Sequence, residues 1–218
     1  PLRYSERYGI ASLERPNGPL FWLHAASIGE AQSALSLISR ILASEKDLNI
    51  LMTTGTVTSA KLLENRLPGR SFHQFVPVDR LAWVRRFLDY WQPDLAFWIE
   101  SELWPNLVIE TQRRGIPAIL VNGRMSERSF ANWRYAQEVI HFMLRGFSLC
   151  FAQTESEAKR LTKLGARDVL YHGNLKYSAA ALPFDMEELD KLKRMSVGRP
   201  VWLAASTHPG EELMVGNV

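Results

Sequence analysis

The sequence predicts an α/β protein built on a doubly wound parallel sheet, and three observations carry that expectation. Short apolar runs alternate with segments of helical period along nearly the whole chain. The runs are almost continuously apolar, which is the pattern of strands covered on both faces. The residues just after them are rich in glycine, hydroxyl, amide and carboxylate groups, as strand-to-helix turns require. With 218 residues, 46% of them apolar, the chain is long enough to enclose a full core.

The elements follow in order. FWLHAA (21–26) reads as a first strand, and the helix expected over 29–43 carries Leu35, Ile38 and Leu42 at spacings of three and four. NILMTT (49–54) precedes a helix over 57–66, and FHQFVPV (72–78) precedes one over 80–91. LAFWIE (95–100) leads to a helix over 103–114, and IPAILVN (116–122) leads to one over 134–145. SLCFAQ (148–153), a helix over 155–164 and VLYHG (169–173) complete seven strands, enough for one domain spanning 1–176. Residues 177–199 are polar, hold a helix over 186–195, and close on Gly198 and Pro200, so they read as a connector. VWLAAS (201–206) then opens a second α/β unit over 200–218, with a strand, a turn and a helix start. A lone strand and part of a helix form no core, so the protein is expected to continue beyond Val218. The start lacks an initiator Met and the apolar centre of a signal peptide, so the chain reads as trimmed at the front.

Composition removes several function classes. A net charge of +3 does not call for a nucleic-acid partner despite a pI of about 9.1. The single Cys150 allows neither an internal disulfide nor a multi-cysteine metal cluster, which fits a reducing compartment. No stretch reaches the roughly 18 apolar residues that span a bilayer. Dinucleotide, Walker, nucleophile-elbow and zincin motifs are missing from the sequence. His24, His73, His141, His172 and His208 are scattered singly and read as core or surface residues, so no metal ligands are expected. Tyr90, Trp91, Phe97 and Trp98 read as core.

Ligands of an open α/β sheet gather outside the carboxyl ends of its strands. That rule selects Ser27 to Glu30, Thr53 to Thr56, Glu100 to Pro105, and Asn122 to Arg124. Ser27 and Glu30 also match a capping box, with Glu30 returning to the Ser27 N–H, and Gly29 and Gly55 also suit tight turns. Glu102 suits a first helical turn, with Pro105 early in the helix. Glu100 is harder to assign to local structure, because it ends an apolar strand where an unpaired carboxylate is costly.

At these places the sequence resembles the bacterial Kdo transferases, which add 3-deoxy-D-manno-octulosonic acid to lipid A precursors. HAASIGE (24–30), TTGTVTSA (53–60), ESELWPNL (100–107), NGRMSERSF (122–130), GNLK (173–176) and RPVWLAASTHPGEE (199–212) are similar to family blocks and stand in family order. The match runs from Arg3 to Glu212, with Asn174 where the family more often has Ser and Pro209 where it has a polar residue. The resemblance implies the GT-B arrangement of two Rossmann-like domains. The N-terminal one binds the lipid A precursor, and the C-terminal one, which would begin near Pro200, binds CMP-Kdo.

It also implies roles. Glu30 would be the catalytic base, Ser27 and Gly29 would position its loop, and Thr54, Gly55, Thr56 and Asn122 would support the acceptor site. Glu100 and Glu102 would hold acceptor hydroxyls or orient cationic groups. Arg124, Arg128 and Lys176 would pair with acceptor phosphate or the Kdo carboxylate. Ser206, Thr207, His208, Glu211 and Glu212 would lie on the donor side. No cofactor or metal is expected beyond the donor CMP-Kdo. The implied location is the cytoplasmic face of the inner membrane, with an anchor ahead of Pro1. Apolar residues beside basic ones make Leu2-Arg3-Tyr4, Arg7-Tyr8 and Phe130 to Arg134 candidates for lipid contact, with ordinary packing as the alternative. Two other readings are a GT-B transferase with another acceptor and a non-catalytic Rossmann-like binding module.

Overall fold

A computed structural model describes residues 3–100, 102–175, 184–198, 200–201 and 203–216. The chain divides into two compact units, Pro1–Ala180 and Ala181–Val218.

The first unit is a seven-stranded, wholly parallel sheet. Its strands are β1 (Leu20–Ala25), β2 (Asn49–Thr54), β3 (Ser71–Phe75), β4 (Leu95–Ile99), β5 (Ala118–Gly123), β6 (Leu149–Ala152) and β7 (Val169–Tyr171). They lie in the order β3-β2-β1-β4-β5-β6-β7. Between them run α1 (Ile28–Ser44), α2 (Val57–Glu64), α3 (Leu81–Trp91), α4 (Pro105–Arg113), α5 (Glu127–Trp133), α6 (Gln137–Arg145) and α7 (Glu155–Lys163). The predicted α/β class and the doubly wound parallel sheet are therefore present.

Side chains alternate between two cores, as a pleated strand dictates. Leu20 and Trp22 of β1, Leu51 of β2, and Ala96 and Trp98 of β4 join Phe87, Trp91, Leu107, Met143 and Phe147 on one face. Leu23 and Ala25, Ile50 and Met52, and Phe97 and Ile99 join Ala31, Ala34, Ile38 and Leu63 on the other. Aromatic edges bind the first core, with Trp22 and Trp98 centred 4.9 Å apart and Trp98 and Phe147 5.7 Å apart. Tyr90 is not core as expected. It is exposed, and its hydroxyl donates to the Leu13 carbonyl at 2.8 Å.

The N-terminal residues fold back onto β3. A 3-10 turn at Tyr4–Tyr8 buries Glu6, whose carboxylate accepts from the Phe75 N–H at 2.6 Å, from Arg3 Nε at 2.7 Å and from Ser12. Beyond β3, the Val76 N–H donates to the Thr54 carbonyl and the Val78 N–H to the Arg7 carbonyl. Residues 76–78, expected in the strand, thus leave it at Phe75, and Pro77 has no N–H for a ladder.

In the second unit, α8 (Met186–Ser196) is capped by Asp185, which accepts from the Glu187 and Glu188 N–H groups. A short α9 spans Glu211–Gly216. The strand expected over 201–206 is absent among the described residues there, and Val201 and Leu203 are exposed. A strand with no ladder partner leaves its backbone groups unpaired, which removes the reason to form one. Among the described residues, no helix is long and apolar enough to cross a membrane.

Candidate functional site

β1 and β4 are neighbours whose onward connections leave in opposite directions, so the carboxyl ends of these two strands open a crevice at the switch point. A cleft of about 230 Å³ lies there, lined by Glu30, Glu100, Glu102, Arg124, Ser126 and Ser129. The carboxylates at the ends of β1 and β4 thus meet in one place.

Glu30 stands in the first turn of α1 and is 8% exposed. Ser27 caps the helix, its Oγ accepting from the Glu30 N–H at 3.3 Å and donating to Glu30 Oε1 at 2.9 Å. The other carboxylate oxygen accepts from the Ala26 N–H at 2.8 Å rather than from the Ser27 N–H that a capping box would use. Burial pushes the Glu30 carboxyl above its ordinary range, the bonds from Ala26 and Ser27 oppose that rise, and the charges of Glu100 and Glu102 add to it. Burial by the protein itself therefore outweighs the two hydrogen bonds that favour the ionised form.

Glu100, just after β4, and Asn122, next to last in β5, have left-handed backbones, at φ +63° and +57°. Asn adopts that region readily, whereas for Glu it is a cost of the kind found at functional sites. Asn122 is 2% exposed and joins three strand ends. Its Nδ2 donates to Glu100 Oε1 at 3.4 Å, its Oδ1 accepts from the Leu175 N–H at 2.9 Å, and its carbonyl accepts from Gln153 Nε2 at 3.0 Å. Asn174 Nδ2 in turn donates to Gln153 Oε1 at 3.4 Å. Asn122 is therefore packed with Asn174 and Leu175 beside the cleft.

A second cleft of about 210 Å³ adjoins the first and shares Glu102 with it. Its other walls are Arg7, His24, Ala26, Gly55, Val76, Pro77, Val78, Asp79 and Trp104. Trp104 Nε1 donates to Glu102 Oε2 at 2.8 Å, which fixes the indole. Asp79 caps α4 from outside the helix, accepting from the Asn106 N–H at 3.1 Å and the Leu107 N–H at 2.8 Å. His24 is 1% exposed, with Nδ1 3.0 Å from Thr53 Oγ1, while its Nε2 is covered and has no hydrogen-bond partner among the described residues. Burial lowers its pKa to about 4, so the imidazole is neutral.

The structure sorts the expected site residues. Glu30, Glu100, Glu102 and Arg124 come together in the first cleft, and Gly55 and Glu102 line the second. Ser27 is the N-cap described above. A Cβ on Gly29 would meet nothing within 4 Å, so packing does not demand glycine there. Thr54 turns away from both clefts to His73 Nε2 at 2.9 Å, and Thr56 caps α2 through the Ser59 N–H at 3.1 Å. Arg128 is exposed on α5 and lines neither cleft. Lys176 and Leu2 lie outside the described residues. In the second unit, Ser206 has φ +59°, Thr207 Oγ1 donates to Glu212 at 2.6 Å, and the His208 N–H donates to Glu211 at 2.8 Å.

Of the residues expected to touch lipid, Arg3 and Arg7 are committed internally. Arg3 bonds Glu6 and the His73 carbonyl, and Arg7 bonds the Val76 carbonyl at 3.1 Å and the Gly55 carbonyl. Tyr8 packs edge-on against Trp83 at 4.7 Å. Sequence reasoning missed Ser126, Ser129, His24 and the 76–79 segment. The S-x-x-S spacing of a helix cap could have signalled the two serines. No group of His, Cys, Asp and Glu among the described residues is placed to hold a metal ion.

The family described as "3-Deoxy-D-manno-octulosonic-acid transferase (kdotransferase)" matches residues 2–179. The 3-deoxy-D-manno-octulosonic acid transferase of Rickettsia felis is 40% identical over 196 residues, covering 90% of this chain and 42% of that protein. The one of Rickettsia bellii is 36% identical (98% and 51%), and that of Haemophilus influenzae is 33% identical (98% and 51%). The chain thus spans about half the length of the relatives it matches. Among solved structures, UDP-GlcNAc 2-epimerase from Neisseria meningitidis aligns with a TM-score of 0.56 at 12% identity, over 83% of this chain and 52% of that one. Phytolacca americana UGT2 aligns at 0.53 and 13% identity, over 90% and 62%. At such identities these structures speak to the fold alone, which is GT-B-like.

Proposed function

The chain belongs to the 3-deoxy-D-manno-octulosonic-acid (Kdo) transferase family, and from that premise we propose that it is the acceptor-binding part of an enzyme that moves Kdo from CMP-Kdo to a lipid A precursor in lipopolysaccharide biosynthesis. The observation that supports this reading most is Glu30, a buried carboxylate held by Ser27 and Ala26 at the switch-point cleft, with its pKa raised. A carboxylate above its ordinary range is a stronger base, which suits removal of a hydroxyl proton.

In this mechanism the acceptor hydroxyl oxygen attacks the anomeric carbon of Kdo and its proton passes to Glu30. The bond from that carbon to the phosphate oxygen breaks, and CMP departs with the electron pair. Glu100 and Glu102 accept from acceptor hydroxyls. Arg124, which lines the cleft with Glu30, pairs with acceptor phosphate or the Kdo carboxylate through its fork of donors. Arg128 and Lys176 are further candidates for those anions. Ser206, Thr207, His208, Glu211 and Glu212 belong to the donor side, and the mechanism calls on no cofactor. Contact with the cytoplasmic face of the inner membrane is assigned to the exposed Tyr135, next to Arg128 and Arg134, since Phe130 and Trp133 pack against the core.

The test uses the enzyme with its donor half present. Glu30→Gln keeps acceptor KM near the parent value and lowers turnover by roughly 10²–10⁴-fold. Unchanged Kdo transfer in that variant removes Glu30 from the role.

A further inference from the structure

The second cleft differs in chemistry from the first. Ala26, Val76, Pro77, Val78 and Trp104 give it carbon walls, and two of these stay open to solvent, Val78 at 52% and Trp104 at 48% exposed. Its polar wall groups are largely engaged already. Arg7 donates to two carbonyls, Asp79 caps α4, Glu102 accepts from the Trp104 indole, and His24 is tied through Nδ1 to Thr53 while its unpartnered Nε2 is covered. A polar guest would give up water and find few replacement bonds there, whereas an apolar guest would cover exposed carbon. At about 210 and 230 Å³, each cleft is smaller than the roughly 300–1,000 Å³ of a site that holds a whole small molecule. Glu102 forms a wall of both, so one ligand can place a different part in each.

We propose that the cleft between Ala26, Val76 to Val78 and Trp104 is a subsite for an aliphatic chain of an amphiphile whose hydroxyl-bearing head occupies the adjoining carboxylate cleft. This deepens the reading above and rests on it only in identifying the amphiphile as the acylated acceptor. The exposed indole of Trp104, held by Glu102, then sits at the boundary between head and chain, where its apolar face meets the first carbons and its N–H stays with the carboxylate.

The probe is monomeric n-octyl β-D-glucopyranoside titrated into this chain, with glucose as the matched head group lacking the chain, and the readout is side-chain NMR. The alkyl glycoside shifts the methyl signals of Ala26, Val76 and Val78 and the Trp104 indole N–H, and glucose at the same concentration leaves them in place. Val78→Asp, a change at an exposed position, weakens the response about tenfold or more. Trp104→Glu does the same and serves as the second variant if the first fails to fold. An equal response to glucose, shifts confined to other apolar residues such as Leu203, no response, or undiminished binding in both folded variants overturns the proposal. Probe binding needs neither donor nor turnover. Absence of Kdo transfer alongside intact probe binding therefore counts against the functional reading alone. Kdo transfer with an unaltered acceptor KM in Val78→Asp counts against the subsite alone.

Discussion

Glycine does different work at positions 9 and 29. Gly9 has φ +73°, and a Cβ there would lie 2.1 Å from the Trp83 carbonyl oxygen. Gly9→Ala is therefore expected to destabilise by about 2–4 kcal/mol, read from urea melts, because both backbone strain and a clash must be relieved. Gly29 has open space around it, and Gly29→Ala is expected to stay within about 0.5 kcal/mol of the parent. A large loss there would contradict the geometry. At this scale the sequence was readable where chemistry and position coincide. Ser27 and Glu30 have capping spacing, and Glu100 is a carboxylate ending an apolar strand. It was silent on what backbone conformation and long-range contact decide. Nothing local tells that Glu100 and Asn122 are left-handed, that Thr54 turns to His73, that Arg3 serves Glu6, or that Arg7 serves the Gly55 and Val76 carbonyls.

Elements were legible wherever burial imposes a period, and blurred where another segment supplies the missing bonds. All seven strands of the first unit were placed, including the edge strand β7, which packs Val169 against a core while Leu170 and Tyr171 stay exposed. Helix α5 was overlooked because ERSFANW has only Phe130 and Trp133 to pack against that core. Helix α4 starts at Pro105, two residues later than expected, because its amino end is capped by Asp79, 27 residues before Asn106. Asp79→Ala is expected to cost about 1–2 kcal/mol and to speed hydrogen exchange at the Asn106 and Leu107 amides. Unchanged exchange at both would show that the cap does not hold the 102–104 loop in place.

For the whole molecule, acid sensitivity follows from two buried histidines. Burial lowers His24 to about 4 and His73 to about 3, both from an ordinary 6.5. The unfolded chain takes up these protons near 6.5 and the folded chain does not. Stability is therefore full above 6.5 and falls as pH drops toward 4 for His24 and 3 for His73. Glu110 adds a later loss. Arg85 above all, with Arg114 and Arg113, holds its carboxyl at about 2, so its stabilisation is complete above the ordinary carboxylate value and disappears as pH falls through 2. Urea midpoints measured from about pH 7.5 to 5 should decline, and His73→Gln should flatten part of that slope whatever its effect on the midpoint itself. An unchanged slope would mean His73 is not held neutral by burial. The winding of the sheet is the global feature most readable from the sequence, because alternating strands and helices imply it. The strand order then brings Glu30 and Glu100 to one cleft.

The central claim is that this cleft holds a carboxylate tuned to accept a proton. The direct test follows the Glu30 carboxyl carbon by NMR against pH. The expected midpoint lies above the ordinary 4.5 and moves down in Glu100→Gln, because a neighbouring negative charge has been removed. A midpoint at or below the ordinary value, indifferent to Glu100, would contradict the account.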